Sequence, residues 1–127
     1  RNYIGFDLEK DYLDVSIIVC VKDGEKSILD LLYNLKNQKY SKNIEFIIVD
    51  DNSRDNTKKI IKSFIENDNR FKYLSTKNYN SKLKYKKKAL ELGISKAKHD
   101  WLLFTDVDCV FGDSWVSSMA SNYYKSD

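Results

Sequence analysis

Ile44-Glu45-Phe46-Ile47-Ile48-Val49-Asp50-Asp51-Asn52-Ser53-Arg54-Asp55-Asn56-Thr57 is the stretch on which the fold turns. It opens as a nearly continuous apolar run rich in β-branched residues, then switches abruptly to acids, amides and hydroxyls. A run of that length without alternation fits a strand covered on both faces, as in a parallel sheet. The polar residues behind it suit a turn and the start of a helix.

The same pattern recurs on either side. Val15-Ser16-Ile17-Ile18-Val19-Cys20-Val21 reads as a buried strand broken by Lys22-Asp23-Gly24-Glu25. Trp101-Leu102-Leu103-Phe104-Thr105 reads as another buried strand, ending at Asp106-Val107-Asp108-Cys109. Phe71 to Ser75 is a shorter strand between them. Helical spacing fills the intervals. Ile28, Leu31, Leu32 and Leu35 form one stripe, opened by Ser27 or Asp23 and ending near Gln38. Ile60, Ile61, Phe64 and Ile65 form a second, capped by Asp55 or Ser53. Tyr85 to Lys98 is a third helix, with Leu90, Ile94 and Ala97 on its apolar face. A fourth starts near Ser114 and brings Trp115, Met119 and Asn122 or Tyr123 to one side. Residues 76–84 read as a polar loop, and residues 1–14 as a leader before a domain over 15–127. This alternation predicts an α/β fold, a mostly parallel sheet with helices on both faces.

Bulk properties bound the function. At 127 residues the chain suits one domain with a real core. Its net charge of +3 is mild, and lysine supplies most of the cations, since Arg occurs only at Arg1, Arg54 and Arg70. Proline is absent. No apolar run is long enough to span a bilayer, and the start lacks the pattern of a signal peptide. Cys20 and Cys109 show no metal-type spacing, so a reducing cytoplasm is the expected compartment. Cys20 reads as core, and Cys109 as a packing residue rather than a nucleophile. His99, the only histidine, reads as a surface residue away from the acidic clusters.

In open α/β sheets ligands sit beyond the carboxyl ends of the strands. Lys22-Asp23-Gly24, Asp50-Asp51-Asn52-Ser53 and Asp106-Val107-Asp108 all fall at such ends, so parallel strands bring them to one edge. If strand geometry continues through them, Asp106 and Asp108 lean to the same face. Neighbouring carboxylates repel unless a cation lies between them. Mg2+ and Mn2+ take hard oxygens, often one or two from protein and the rest from phosphate and water. Asp-X-Asp alone is more often a polar turn, and Asp50-Asp51 alone serves equally as an Asx turn or cap. The lysines from Lys82 to Lys88 support a diphosphate electrostatically or form a solvated face.

Taken together, these clusters resemble the inverting family 2 glycosyltransferases. Val15-Ser16-Ile17-Ile18-Val19 is similar to their opening strand. Gln38-Lys39-Tyr40 and the stretch from Glu45 to Thr57 are similar to their second strand and its Asp-Asp-X-Ser-X-Asp-X-Thr signature. Lys86-Lys87-Lys88-Ala89-Leu90-Glu91-Leu92-Gly93-Ile94 resembles the helix before their metal strand. Trp101 to Cys109 resembles their Asp-X-Asp strand, with Trp115 following. The resemblance implies a Rossmann-like GT-A nucleotide-binding domain, truncated, with the acceptor-binding half absent. It implies a nucleotide-diphosphate sugar as donor, commonly UDP-linked, and Mg2+ or Mn2+ as cofactor. Asp51 would meet the base, Val21 and Lys22 would line the base and ribose pocket, and Asp23 would lie at its rim. Asp106 would sit near ribose and metal, Asp108 would be the main metal ligand, and Lys86 would approach the nucleotide. The acceptor is an unidentified saccharide or lipid-linked molecule. The full-length protein is compatible with peripheral membrane association, and nucleic acid is not an expected partner.

The chain departs from the family in places. Cys20 stands where proline is usual, Lys22-Asp23 where Asn or Arg-Asn is frequent, and Tyr85 where glycine is expected. These departures bear on the pocket's shape. The family's catalytic base is a carboxylate well after the metal motif. Beyond Asp113 this chain offers only Asp127, so no catalytic residue is assigned and the chain reads as a fragment of a longer protein. A nucleotidyltransferase would show a glycine-rich phosphate loop after the first strand, which Gly24 alone does not make. A receiver domain would need paired acids after the first strand. A nucleic-acid-binding module would rest on the lysines alone.

Overall fold

The computed structural model describes residues 13–125. Eight elements alternate along them: β1 (Val15–Val21), α1 (Ile28–Lys36), β2 (Ile44–Asp50), α2 (Thr57–Ile65), β3 (Phe71–Ser75), α3 (Tyr85–Lys96), β4 (Trp101–Asp106) and α4 (Trp115–Lys125). The strands form one parallel sheet in the order β3-β2-β1-β4. The order reverses beside β1, so the switch point lies between β1 and β4. Of the expected leader, only Leu13 and Asp14 fall within the described residues; the Leu13 carbonyl accepts from the Tyr40 hydroxyl.

Strand periodicity assigns each side chain to a face. Val15, Ile17, Val19, Phe46, Ile48 and Leu103 pack in one cluster with Ile28, Leu31, Leu32 and Leu35 of α1, Ile61 of α2 and Val116 of α4. Ile18, Ile47 and Val49 point the other way and pack on Ala89 and Leu92 of α3. Helices therefore cover both faces, α3 lying opposite the other three.

Three expectations are corrected. The buried face of α3 is Ala89, Leu92 and Gly93, while Ile94 is 46% exposed. The apolar spacing pointed one residue away because it ignored small residues, which are what let α3 sit close to the sheet. A Cβ on Gly93 would lie 2.7 Å from Ile18 Cγ2 and 3.1 Å from Val49 Cγ2. In α4 the buried residues are Val116 and Ala120, and Met119 is exposed. β4 is an edge strand rather than a fully covered one, leaving Phe104 48% exposed.

Candidate functional site

At the carboxyl edge the two adjacent acids of β2 part company. Asp50 is the last residue of its strand and is 2% exposed. Its Oδ1 accepts from the Ser53 N–H at 2.9 Å and its Oδ2 from the Tyr73 hydroxyl at 2.7 Å. Burial, then the neighbouring Asp50 carboxylate, pushes the Tyr73 phenol well above its ordinary pKa. Asp51 belongs to the opposite face, on the α3 side. Its N–H donates to the Val21 carbonyl at 2.8 Å, and its Oδ1 accepts from the Thr76 hydroxyl at 2.7 Å.

The rest of the motif staples the loop after β1. The Asp23 N–H donates to Ser53 Oγ at 2.8 Å, and the Arg54 N–H donates to Asp23 Oδ1 at 2.7 Å. The Gly24 N–H donates to Thr57 Oγ1 at 2.9 Å. Asp55 accepts from the Glu25 N–H through Oδ2 and from the Thr57 N–H through Oδ1. Asp55 thus caps the approach to α2, whose N-cap Asn56 makes no side-chain cap bond; Ser27 of α1 makes none either. Ser53, Asp55 and Thr57 hold the site together, and Asp51 faces it.

Asp106 ends β4 directly beside Cys20 in register. Lys86 of α3 donates to Asp106 Oδ1 at 2.7 Å, and this hydrogen bond to the carboxylate raises the ammonium pKa. The strand does not continue through Asp108. The Cys109 N–H donates back to the Asp106 carbonyl at 3.2 Å, so Asp108 converges on Asp106 through a turn and not by strand alternation. The ligand atoms of Asp106, Asp108 and Cys109 lie within 4.8 Å of one another, all on exposed residues. Cys109 is therefore not the packing residue it was expected to be. Two hard carboxylates this close and this exposed fit Mg2+ or Mn2+. Asp108 has no ion pair of its own among the described residues.

This loop is anchored from below by α1. Asn34 grips the Phe111 peptide with both amide atoms, donating to its carbonyl at 2.7 Å and accepting from its N–H at 3.1 Å. Gln38 donates to the Gly112 carbonyl at 2.7 Å and accepts from the Val116 N–H at 3.0 Å. Asn34 was not singled out in the sequence, and Gln38, just past the end of α1, entered only as a helix end and through the family resemblance; no anchoring role was read for either.

A groove of about 580 Å³ opens on the α3 side of the edge, lined in part by Lys22, Asp51, Thr76, Lys84, Tyr85 and Lys88. Lys22 and Asp51 of the expected site meet there. Val21 is 2% exposed and contributes only its backbone carbonyl, already bonded to Asp51. Asp23 does not line that groove, its carboxylate being committed to Arg54. Lys86 and Asp106 line a second hollow of about 310 Å³ with Cys20 and Phe104. Burial pushes the Cys20 thiol up to about 11, so it is neutral and unreactive near pH 7. Tyr85, where glycine was expected, has φ 57°, a left-handed conformation that costs a tyrosine about 1 kcal/mol. His99 lies at the opposite end of the strands, its N–H donating to Ser16 Oγ.

A parallel sheet with its switch point at β1 and acids beyond two strand ends is the arrangement of a nucleotide-binding α/β domain. Residues 16–127 match the sequence profile of Glycosyl transferase family 2, and the chain belongs to that family. It is 27% identical over 113 residues to the glycosyltransferase GlyG of Streptococcus pneumoniae, covering 89% of this chain and 36% of that protein. Its fold superposes on S. aureus TarS 1-349 in complex with UDP-GlcNAc with a TM-score of 0.72 at 26% identity, covering 89% of this chain and 32% of that one. The mannosyltransferase PcManGT of Pyrobaculum calidifontis, solved with GDP-Man and Mn2+, gives a TM-score of 0.71 at 20% identity, covering 89% and 34%. The chain spans about a third of the length of these relatives.

Proposed function

We propose that this chain is the donor-binding portion of a metal-dependent, inverting glycosyltransferase that moves a sugar from a nucleotide-diphosphate sugar, UDP-linked, to an acceptor hydroxyl. The observation that carries the reading is the meeting of Lys22, Asp51 and Thr76 in one groove at the sheet edge that also bears Asp106 and Asp108. Asp51 accepts from the base, and Lys22 lies along the base and ribose. Asp106 and Asp108 hold Mg2+ or Mn2+, which supplies charge stabilisation to the departing diphosphate. Lys86 pairs with Asp106 at this edge, where its ammonium would also lie within reach of a donor phosphate. We assign no catalytic base to this chain and place it in the part of such proteins that the chain does not cover. The acceptor is a saccharide or a lipid-linked molecule. No helix among the described residues is long and apolar enough to cross a membrane. A cytoplasmic location with peripheral membrane association of the full-length protein belongs to the same proposal.

Calorimetry with UDP, GDP and ADP, each with and without Mn2+, tests it. UDP binding should strengthen at least tenfold with Mn2+, about 1.4 kcal/mol, and that gain should vanish in Asp108→Ala. Binding of no nucleotide, or metal-independent binding unaffected by Asp108→Ala, defeats the proposal.

A further inference from the structure

We propose that Thr76 selects the base of the bound nucleotide: its hydroxyl occupies one oxygen of the Asp51 carboxylate and leaves the other for a single base N–H, which fits uracil and disfavours guanine. The inference rests on the donor-site reading above and deepens it. A carboxylate is an acceptor only, so the 2.7 Å contact between Thr76 Oγ1 and Asp51 Oδ1 is a bond donated by the threonine. Among the described residues no donor is directed at Asp51 Oδ2. Both residues line the same groove.

The arrangement is held by backbone rather than by a loose loop. The Thr76 N–H donates to the Asp50 carbonyl at 3.0 Å, which extends the β2–β3 pairing one residue past the strands. The Thr76 carbonyl accepts from the Tyr79 N–H at 2.9 Å. Thr76 is 3% exposed, so its hydroxyl has little water to compete for it. The carboxylate of Asp51 is therefore presented with one oxygen taken and one open.

Base chemistry then discriminates. Uracil offers one ring N–H between two carbonyls, and a single open acceptor satisfies it. Guanine offers a ring N–H and an amino group side by side, and both need acceptors. With one lone pair of Oδ1 engaged by threonine, a second donor must share that oxygen at poorer geometry, and the weakened hydrogen bond costs guanine affinity. Cytosine and adenine place a ring acceptor where uracil places its N–H, which sets a lone pair against the carboxylate.

The test is calorimetry of UDP and GDP with Mn2+ on the chain and on Thr76→Val, Thr76→Ser and Thr76→Ala, with circular dichroism to confirm folding. The unmodified chain should bind UDP about tenfold or more tighter than GDP, the scale of one hydrogen bond. Thr76→Val should shrink that ratio at least fivefold, mainly through a gain for GDP, and Thr76→Ser should preserve it. If Thr76→Val does not fold, Thr76→Ala carries the same expectation. A merely structural threonine would weaken both nucleotides alike. An unchanged ratio with UDP still bound overturns the role of Thr76 and leaves the donor site standing. A chain that binds neither nucleotide overturns both.

Discussion

Asp50 and Asp51 are neighbours of the same type with opposite duties. Asp50 closes a buried network with Ser53 and Tyr73, whereas Asp51 turns to an open groove. Removing Asp50 leaves the Tyr73 hydroxyl and the Ser53 N–H without their acceptor, at a cost of about 2 kcal/mol. Asp50→Ala should lower the melting temperature by roughly 5 °C or more without ligand. Asp51→Ala should shift it far less and abolish nucleotide binding. Differential scanning fluorimetry with and without UDP measures both, and equal melting shifts would refute the division. The residue pattern placed both acids at a strand end, and only the family resemblance gave Asp51 the base; the buried role of Asp50 was not read. The separation of their roles depends on strand parity and on what β3 offers: Tyr73 on one face, Thr76 on the other.

At the scale of elements, the strands were legible because a covered parallel strand is a continuous apolar run. Each of the expected strands is present, with β2 and β4 each extending one residue into the acids. The helix faces were less legible. Leu90, Ile94 and Ala97 keep helical spacing, but so do Ala89, Leu92 and Gly93, and closeness to the sheet favours the smaller set. The nearness of the Asp-X-Asp carboxylates was legible, yet its geometry was not, since a turn intervenes between Asp106 and Asp108. The α3 packing gives a sharp expectation. Gly93→Ala forces a methyl to 2.7 Å from Ile18 Cγ2, and such overpacking costs about 1–3 kcal/mol. Urea unfolding should show a lower midpoint at unchanged slope. A midpoint equal to or above that of the parent chain would mean that α3 shifts freely, and that its distance from the sheet is not fixed by this contact.

Across the whole molecule the two ends of the sheet divide stability from binding. The carboxyl end buries Asp50 but leaves Asp51, Asp106 and Asp108 open to solvent and ligand. The amino end buries one: Glu45, 2% exposed, accepts at Oε2 from Ser16 Oγ at 2.6 Å and from the Lys98 N–H at 2.7 Å. Lys72 Nζ lies 2.9 Å from Oε1. This single carboxylate ties β1, β2, β3 and the turn leading into β4. Burial acts to raise its pKa, but the bonds from Lys72, the Lys98 N–H and Ser16 outweigh it and hold the pKa below the ordinary 4.5. A depressed carboxylate stabilises the fold above its unfolded pKa, and that contribution fades as pH falls through the folded value. Glu45→Gln keeps the volume but cannot accept from all three donors, so it should cost about 2 kcal/mol at pH 7. The gap between the parent chain and Glu45→Gln should stay constant from pH 7 down to about 5 and close below the unfolded pKa. Urea titrations at stepped pH read the gap directly. A gap that persists undiminished to pH 3 would show that the charge on Glu45 is not what joins these strands.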